Sequence, residues 1–255
     1  MPVLFVGHGS PMNAIQDNAW SRGFASLSKG IPTPAAILAV SAHWYLDGTF
    51  VTANARPRTI HDFGGFPPEL YRISYPAPGS PALAERVTDL LPTARPSDTW
   101  GLDHGTWSVL LRMFPLAQIP VVQLSIDRRL EPTDHAALGR ALAPLRDEGV
   151  LILGSGNATH NLPDAFARMR SGQTATPDWA QHFDSAVADL TQRHDTNALA
   201  ALWPDSPNAR HCHPTPDHFL PLVYACAAAD ADDTVSFPIT GFDMGSLSMR
   251  AVRFG

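Results

Sequence analysis

Three histidines each follow a short apolar run of this chain, and the chemistry is expected to come from them. They are His8, His43 and His160, and their neighbours are mostly small residues such as glycine, serine and asparagine. Histidine is the commonest metal ligand and titrates near neutral pH. Small neighbours let the backbone approach a ligand closely. The three residues therefore indicate either a metal site or an acid–base site.

These histidines come together if the apolar runs are parallel strands. In open α/β sheets, ligands bind at the carboxyl ends of the strands. His218 lies one residue into a predicted helix and can reach the same edge. The spacing is not that of a zinc finger, because the chain has neither Cys-x-x-Cys nor His-Glu-x-x-His. A lone strand-end histidine is more often structural, so the argument depends on several of them converging.

Other histidines allow simpler interpretations. Residues 211–213 read His-Cys-His, which is either a second metal site or a chance cluster. Three further histidines have polar neighbours in predicted helices, and we expect them at the surface: His135, His182 and His194.

Continuous apolar strands alternate with helical patterns along the chain. Strands are predicted at 2–6, 35–42, 49–53, 119–126, 149–154, 234–239 and 246–254. Helices are predicted at 18–27, 80–91, 107–114, 132–148, 179–193 and 216–229. This alternation favours a largely parallel sheet covered on both faces, in a single α/β domain spanning 1–255. The proline-rich segment 56–78 is typical of a long functional loop.

The composition excludes several classes of protein. The net charge is −6 and Lys29 is the only lysine, so a basic surface for nucleic acid is not expected. No run of 18 apolar residues predicts a membrane helix, and no signal peptide is evident. Only two cysteines, Cys212 and Cys226, are present, which fits a reducing cytoplasm rather than a disulfide framework.

Eight motifs in order along the chain resemble those of the 4,5-DOPA extradiol dioxygenase family, within the class III (LigB-like) extradiol ring-cleaving dioxygenases. They are GHGSPM (7–12), SAHW (41–44), TIHDFGGFP (59–67), YPAPG (75–79), WGLDHG (100–105), GNATHNL (156–162), PTPDHFLP (214–221) and MGSLSM (244–249). The resemblance covers essentially the whole chain. It implies a single LigB-like α/β domain, with a central largely parallel or mixed sheet between helical layers.

The resemblance also implies a metal centre. His8, His43 and His218 match the family's metal ligands, and the metal would be non-haem Fe(II), with zinc possible in the isolated protein. Most such iron sites use two histidines and one carboxylate. Asp217, next to His218, is therefore an alternative third ligand, and a three-histidine site also suits zinc.

The same resemblance assigns roles around the metal. His160 matches the catalytic histidine and His104 a second histidine of the pocket. His61 and Phe63 lie in a motif that is expected near the substrate, and Phe66 is either part of it or of the core.

The implied activity is insertion of O₂ into a catechol such as L-DOPA, with 4,5-cleavage to a muconic semialdehyde-type product. The partners would be a small catechol and O₂, and the protein a monomer or homodimer. If L-DOPA is the substrate, a cation is expected for its carboxylate, among Arg56, Arg58, Arg72 and other arginines. A zinc-dependent hydrolase on the same scaffold and a non-enzymatic metal-binding protein are the alternatives.

Overall fold

An eight-stranded mixed sheet runs through the computed structural model, which describes residues 1–255. Its strands are β1 (Val3–Gly7), β2 (Ala36–Leu46), β3 (Phe50–Thr52), β4 (Arg95–Ser97), β5 (Val121–Asp127), β6 (Val150–Gly156), β7 (Val235–Ile239) and β10 (Ala251–Phe254). Two short strands, β8 (Phe242–Asp243) and β9 (Leu247–Ser248), pair separately.

The strand order places four parallel strands at the centre of the sheet. The order is β4-β3-β5-β2-β6-β1-β10-β7, in which β5, β2, β6 and β1 are parallel. β10 is antiparallel to β1, and β7 is antiparallel to β10. The sheet is therefore mixed, and its parallel centre brings the carboxyl ends of β1, β2 and β6 to one edge.

Helices cover both faces of this sheet. They are α1 (Ala19–Leu27), α2 (Pro81–Leu90), α3 (His104–Met113), α4 (Pro132–Leu142), α5 (Leu162–Ser171), α6 (Asp178–Gln192), α7 (Thr196–Asp205), α8 (Ala209–Cys212) and α9 (Leu220–Ala228). Alternate residues of β1 serve the two faces: Val3 and Phe5 belong to one apolar core, and Leu4 and Val6 to the other. The expected α/β architecture, covered on both faces, is confirmed.

Several element boundaries differ from the sequence prediction. α3 begins at His104, three residues early, because the Asp103 side chain caps it by accepting from the Thr106 N–H. Among the helices, α5, α7 and the four-residue α8 were not predicted. The stretch 246–254 is not one strand, because β9 and β10 belong to different sheets. His218 lies in a 3₁₀ turn at 216–218 rather than inside the following helix.

An irregularity in β2 determines where His43 points. β2 continues past the predicted end at 42 to Leu46, and its pairing with β5 slips between Val40 and Tyr45. Such bulges bend a strand and redirect its side chains. His43 lies in this irregular stretch.

The prediction that His135 lies at the surface is wrong. The side chain is fully buried, and its Nδ1 lies 3.0 Å from the Tyr224 hydroxyl of α9. Its polar sequence neighbours point away, because α4 turns its apolar face toward α9. His182 is exposed, as expected.

None of the helices combines the length and the hydrophobicity required to cross a bilayer.

Candidate active site

Five histidines surround one cavity at the carboxyl edge of the parallel strands. The cavity has a volume of about 370 Å³. Its histidines are His8, His43, His104, His160 and His218. His8 and His160 follow β1 and β6, and His43 lies near the end of β2, while α3 begins with His104 and a 3₁₀ turn carries His218. The convergence expected for strand-end histidines is therefore present.

The hydrogen bonds of His8 fix its tautomer. The Ser155 hydroxyl donates to the Gly105 carbonyl at 2.6 Å, so it must accept from His8 Nδ1, which lies 2.9 Å away. His8 therefore carries its proton on Nδ1 and has an unprotonated Nε2. A hydrogen bond of this kind on the rear nitrogen is typical of metal-binding histidines.

Asp62 orients two further histidines with a single oxygen atom. Its Oδ2 lies 3.1 Å from His43 Nδ1 and 2.9 Å from His104 Nδ1. Its Oδ1 accepts the His104 backbone N–H at 2.9 Å. Because an ionised carboxylate only accepts, both rings donate from Nδ1 and keep Nε2 unprotonated.

The front nitrogens of His8 and His43 are very close. Their Nε2 atoms lie 3.1 Å apart. With both protons on Nδ1, two lone pairs face each other, and this repulsion is relieved only by a cation or a proton between them. Two nitrogens bound to one metal ion at about 2.0–2.1 Å also lie about 3 Å apart. Ligand atoms of His8, His43 and His104 lie within 4.8 Å of one another, as a metal site requires.

His218 offers another candidate ligand. Its Nδ1 lies 2.5 Å from Asp217 Oδ2, and its Nε2 is buried with no hydrogen-bond partner. The His218 ring centre lies 5.3 Å from that of His8 and 5.0 Å from that of His43. An unpaired buried nitrogen is costly, and a metal ion would satisfy it. The donor set therefore fits a metal, with His104 and His218 both available beside His8 and His43.

His160 stacks flat on His218. The two ring centres are 3.4 Å apart and the planes differ by 3°. The His160 backbone N–H donates to the Cys212 carbonyl at 2.9 Å, which holds the loop after β6 in place. The ring is partly exposed to the cavity.

Burial keeps these imidazoles neutral. Burial, together with the nearby histidines, lowers the pKa of His43 to about 3 and that of His160 to about 4. The pKa values of His8 and His218 are also well below their usual value, mainly through burial. Burial alone would raise the pKa of Asp62, but the side-chain and backbone hydrogen bonds from His104 bring it below its usual value. A carboxylate behind neutral imidazoles suits metal binding.

Two glycines permit the close approach of the histidine elements. A Cβ at Gly105 would lie 2.7 Å from Ser41 Oγ, 2.9 Å from His43 Cδ2 and 3.3 Å from His8 Cε1. A Cβ at Gly156 would lie 2.1 Å from the His218 carbonyl oxygen. Only glycine lets these segments meet at the cavity floor.

The outer cavity walls are largely apolar. Phe63 and Phe66 come from the long loop, Leu162 and Phe166 from α5, and Met244 follows β8. The Phe63 ring centre lies 5.4 Å from that of His104 and 5.2 Å from that of Phe66. These walls suit an aromatic ring held above the histidines.

The structure brings six of the seven predicted site residues to the cavity and leaves one behind it. Lining the cavity are His8, His43, Phe63, His104, His160 and His218. His61 does not line it: its Nε2 donates to the Ile73 carbonyl at 3.1 Å, and its ring packs against Phe63 and Trp107. Asp217 contacts His218 and does not line the cavity.

Sequence reasoning missed Asp62 and the α5 wall. Asp62 is the residue after His61 in a motif already noted, so its position was a usable signal. In α5, apolar residues at 162, 165, 166 and 169 have helical spacing. That pattern could have indicated a helix with an apolar face beside the cavity.

The segment 211–213 does not form a second metal site. The Cys212 thiol lies 3.8 Å from the Trp179 carbonyl, and His213 Nε2 lies 2.9 Å from the Ala158 carbonyl. The Cys212 and His213 side chains therefore contact different backbone carbonyls instead of converging on one point. The group of three such side chains whose ligand atoms all lie within 4.8 Å of one another is that of His8, His43 and His104, in the cavity and away from this segment.

The chain is similar to known proteins over its whole length. Residues 2–254 match the family model described as the catalytic LigB subunit of aromatic ring-opening dioxygenase. A 4,5-DOPA dioxygenase extradiol of Escherichia coli K12 is 46% identical, covering 100% of this chain and 95% of its own. One from Beta vulgaris is 40% identical, covering 99% and 96%. The crystal structure of an uncharacterized Escherichia coli K12 protein superposes with a TM-score of 0.83 at 41% identity, covering 100% of both chains.

Proposed function

The chain belongs to the family of the catalytic LigB subunit of aromatic ring-opening dioxygenases, and from this we propose that it inserts O₂ into the ring of a catechol such as L-DOPA, by extradiol 4,5-cleavage. The observation that carries the proposal is the cluster of His8, His43 and His104, whose ligand atoms lie within 4.8 Å of one another, with the unpartnered Nε2 of His218 beside it. The two relatives named above are 4,5-DOPA dioxygenases by name.

We propose that His8, His43 and His218 hold the metal, as Fe(II). Both rings line the cavity, but only the Nε2 of His218 is fully buried without a hydrogen-bond partner, which a metal ion would satisfy. This leaves Nε2 of His104 for a substrate proton. His104 is the alternative third ligand, and a metal-content measurement decides between them.

The metal, when bound, supplies the redox chemistry that joins O₂ to the catechol. His160 is the proposed base for a catechol hydroxyl proton. Its neutral imidazole has a free lone pair at working pH, because burial lowers its pKa to about 4. The stack on His218 holds the ring in one plane beside the metal ligands.

His104 is the proposed second acid–base group. Asp62 holds its Nδ1 proton, which leaves Nε2 as the atom that accepts or returns a proton at the substrate oxygen. Because the same Asp62 oxygen holds His43, one carboxylate sets the orientation of a metal ligand and of a proton carrier.

The aromatic walls position the substrate ring and keep water away from it. Phe63 lies over the histidines with its ring centre 5.4 Å from that of His104. His61 supports Phe63 from behind, with 5.8 Å between ring centres, and fixes the loop through the Ile73 carbonyl. A direct substrate contact of His61 remains a prediction.

The test is O₂ uptake by protein reconstituted anaerobically with Fe(II), given L-DOPA and simple catechols, beside the zinc-loaded form. We expect uptake and a yellow product with Fe(II) only. His160→Ala is expected to keep the metal and to lose most turnover, typically a factor of about 10²–10⁴ for an acid–base residue. Full turnover by His160→Ala would refute its role. Uptake by neither form would refute ring cleavage, and O₂-independent hydrolysis by the zinc form would support a zinc hydrolase.

A further inference from the structure

We infer that Arg170, in the last turn of α5, pairs with the carboxylate of a catechol substrate at the mouth of the cavity. This inference rests on the ring-cleavage function proposed above and names the residue that recognises the substituent of its substrate. It follows from the charges around the cavity, from the helical register of α5 and from the lack of any other partner for this arginine.

The substituent of a bound catechol points toward the outer part of the cavity. The proposed reaction brings the two catechol oxygens to the histidines at the floor, so the opposite edge of the ring faces outward. Phe63 and Phe66 line one outer wall, and Leu162 and Phe166 line another. Leu162 is 38% exposed and Phe166 is 39% exposed, so the α5 wall ends at the solvent. A carboxylate on a short side chain therefore reaches the mouth rather than the floor.

The lining of the cavity provides no cationic side chain for this carboxylate. Asp62 is the charged residue among those that line it, and its Oδ2 already accepts from His43 and His104. The metal ion proposed at the floor faces the catechol oxygens, on the opposite side of the ring from the substituent. A carboxylate that loses hydration without a partner is unfavourable, so its partner is expected at the rim.

Helical register places Arg170 on the side of α5 that lines the cavity. Leu162, Phe166 and Arg170 are spaced four residues apart, so they follow one another along one side of the helix. Arg170 lies one turn beyond Phe166, about 6 Å along the helix axis. Helical side chains lean toward the amino terminus, so the long Arg170 side chain can extend over Phe166 to the mouth.

Arg170 is available for a partner outside the chain, unlike its neighbours. Arg168 of α5 pairs with Asp164 at 2.6 Å. The Arg112 guanidinium donates to two backbone carbonyls, at 3.0 and 2.8 Å. Arg170 is exposed and forms neither an ion pair nor a side-chain hydrogen bond. Its planar guanidinium matches the two oxygens of a carboxylate.

The three arginines named from the sequence as carboxylate partners are placed less well. Arg56 lines a separate cavity, and the Arg58 guanidinium donates to a backbone carbonyl at 3.3 Å. Arg72 follows Tyr71, whose ring centre lies 5.1 Å from that of Phe63. Both belong to the 3₁₀ turn at 70–72, where successive side chains point about 120° apart, so Arg72 faces away from that ring.

The test compares catechols that differ in the carboxylate. One pair is 3-(3,4-dihydroxyphenyl)propionate and its amide, and the other is L-DOPA and dopamine. In Arg170→Gln, we expect kcat/KM of the Fe(II)-loaded protein for the propionate, relative to the amide, to fall about three- to tenfold. This range lies between the contributions of an exposed ion pair and of a charged hydrogen bond. The loss should be in KM rather than kcat and should shrink as ionic strength rises.

Further variants separate charge from structure. Arg170→Lys keeps the charge and should retain most of the preference for the propionate. Arg170→Glu should lower the ratio of L-DOPA to dopamine turnover at least about tenfold, because the new charge repels the carboxylate and attracts the ammonium group. Arg140→Gln is the matched control, since Arg140 is also exposed and in the last turn of a helix, α4, but lies outside the cavity. It should leave both ratios unchanged, as should Arg72→Gln.

Calorimetry on the zinc-loaded protein under anaerobic conditions measures the same preferences as binding affinities. An unchanged propionate-to-amide ratio in Arg170→Gln, or an equal fall in Arg140→Gln or Arg72→Gln, would overturn the inference while leaving ring cleavage intact. Failure of the Fe(II)-loaded protein to consume any of the four catechols would refute ring cleavage, and the calorimetric affinities would still decide the role of Arg170.

Discussion

Four histidines present an unprotonated ring nitrogen to the cavity because each carries its proton on the opposite nitrogen. Ser155, Asp62 and Asp217 each accept a hydrogen bond from the Nδ1 atom of a histidine, so that four rings keep an unprotonated Nε2. Such rear partners fix the tautomer and raise the basicity of the ligand. The metal-binding character of the site therefore depends on residues that never touch the metal.

The identity of the third metal ligand can be decided by two substitutions. On the proposed assignment, His218→Ala removes a ligand rather than an outer partner, and we expect metal affinity to fall more than about 100-fold. His104→Ala is expected to keep the metal and lose turnover. Metal content after dialysis, measured by atomic emission, checks this. Loss of metal from His104→Ala with retention in His218→Ala would reverse the assignment.

Asp62 is expected to act on binding and turnover together. In Asp62→Asn the amide cannot hold both Nδ1 protons with the strength of a carboxylate, so the rings of His43 and His104 lose their fixed tautomer. We expect metal affinity to fall about 10–100-fold, with turnover falling even at saturating metal. A chelator-competition titration and O₂ uptake measure the two effects. Asp47→Asn, in an exposed pair with Arg128, is the control and should change neither. Unaltered affinity would contradict the orienting role.

At the scale of the elements, the site depends on two backbone features: the irregular stretch of β2 and the glycine in the first turn of α3. The irregular stretch of β2 redirects His43, and Gly105 lets α3 lie against His43. Neither is a side chain that performs chemistry, yet both set distances between the histidine rings of the cavity.

Gly105→Ala is expected to damage the metal site without unfolding the protein. The new Cβ would push against Ser41 and the rings of His43 and His8, so the Nε2 atoms lose their spacing. We expect metal affinity to fall at least about tenfold, as measured by chelator competition. Gly139→Ala is the matched control, since its Cβ would lie 2.8 Å from Ala227 Cβ, away from the cavity. It should lower the thermal stability and leave the affinity unchanged. Equal affinity losses in both variants would show a general packing effect.

The sequence predicts some helices and strands better than others. The buried strands were evident because parallel strands covered on both faces are continuously apolar. α5 could have been predicted, because Asn161 caps it, Pro163 and Asp164 lie in its first turn and its apolar residues have helical spacing. His218 was placed in a helix because α9 follows directly, whereas a 3₁₀ turn carries the residue.

At the scale of the whole molecule, the sequence predicts the edge of the sheet that carries the site but not the contacts within it. The convergence of His8, His43 and His160 follows from parallel strands alone. The role of Asp62 and the rearward position of His61 depend on how the loop folds back over α3. A loop of this length has no periodicity from which such long-range contacts could be read.

Buried neutral histidines are also expected to make the fold sensitive to acid. Burial lowers the pKa of His135 to about 4, while its unfolded value is about 6.5. Between these values the unfolded chain binds the proton and the folded chain does not, so stability falls as pH decreases. We expect the unfolding free energy of the metal-free protein to fall by roughly 1 kcal/mol per pH unit below pH 6 from this residue alone.

Urea titrations at pH 7, 6 and 5 measure this effect. His135→Gln should make the dependence shallower, and His182→Gln, at an exposed position, should leave it as it is. A slope that is the same in all three proteins would exclude His135 as a source of the acid sensitivity.

The flat stack of His160 on His218 also has a magnetic consequence. At 3.4 Å and 3° between planes, each ring lies in the shielding zone of the other. The carbon-bound ring protons of both residues should therefore resonate upfield of those of the exposed His182. If His218 holds a diamagnetic ion such as zinc, the ring-proton resonances of His218 shift first. Those of His160 then shift through the stacked contact. The pair thus acts as a built-in spectroscopic reporter that follows occupation of the site without any substrate.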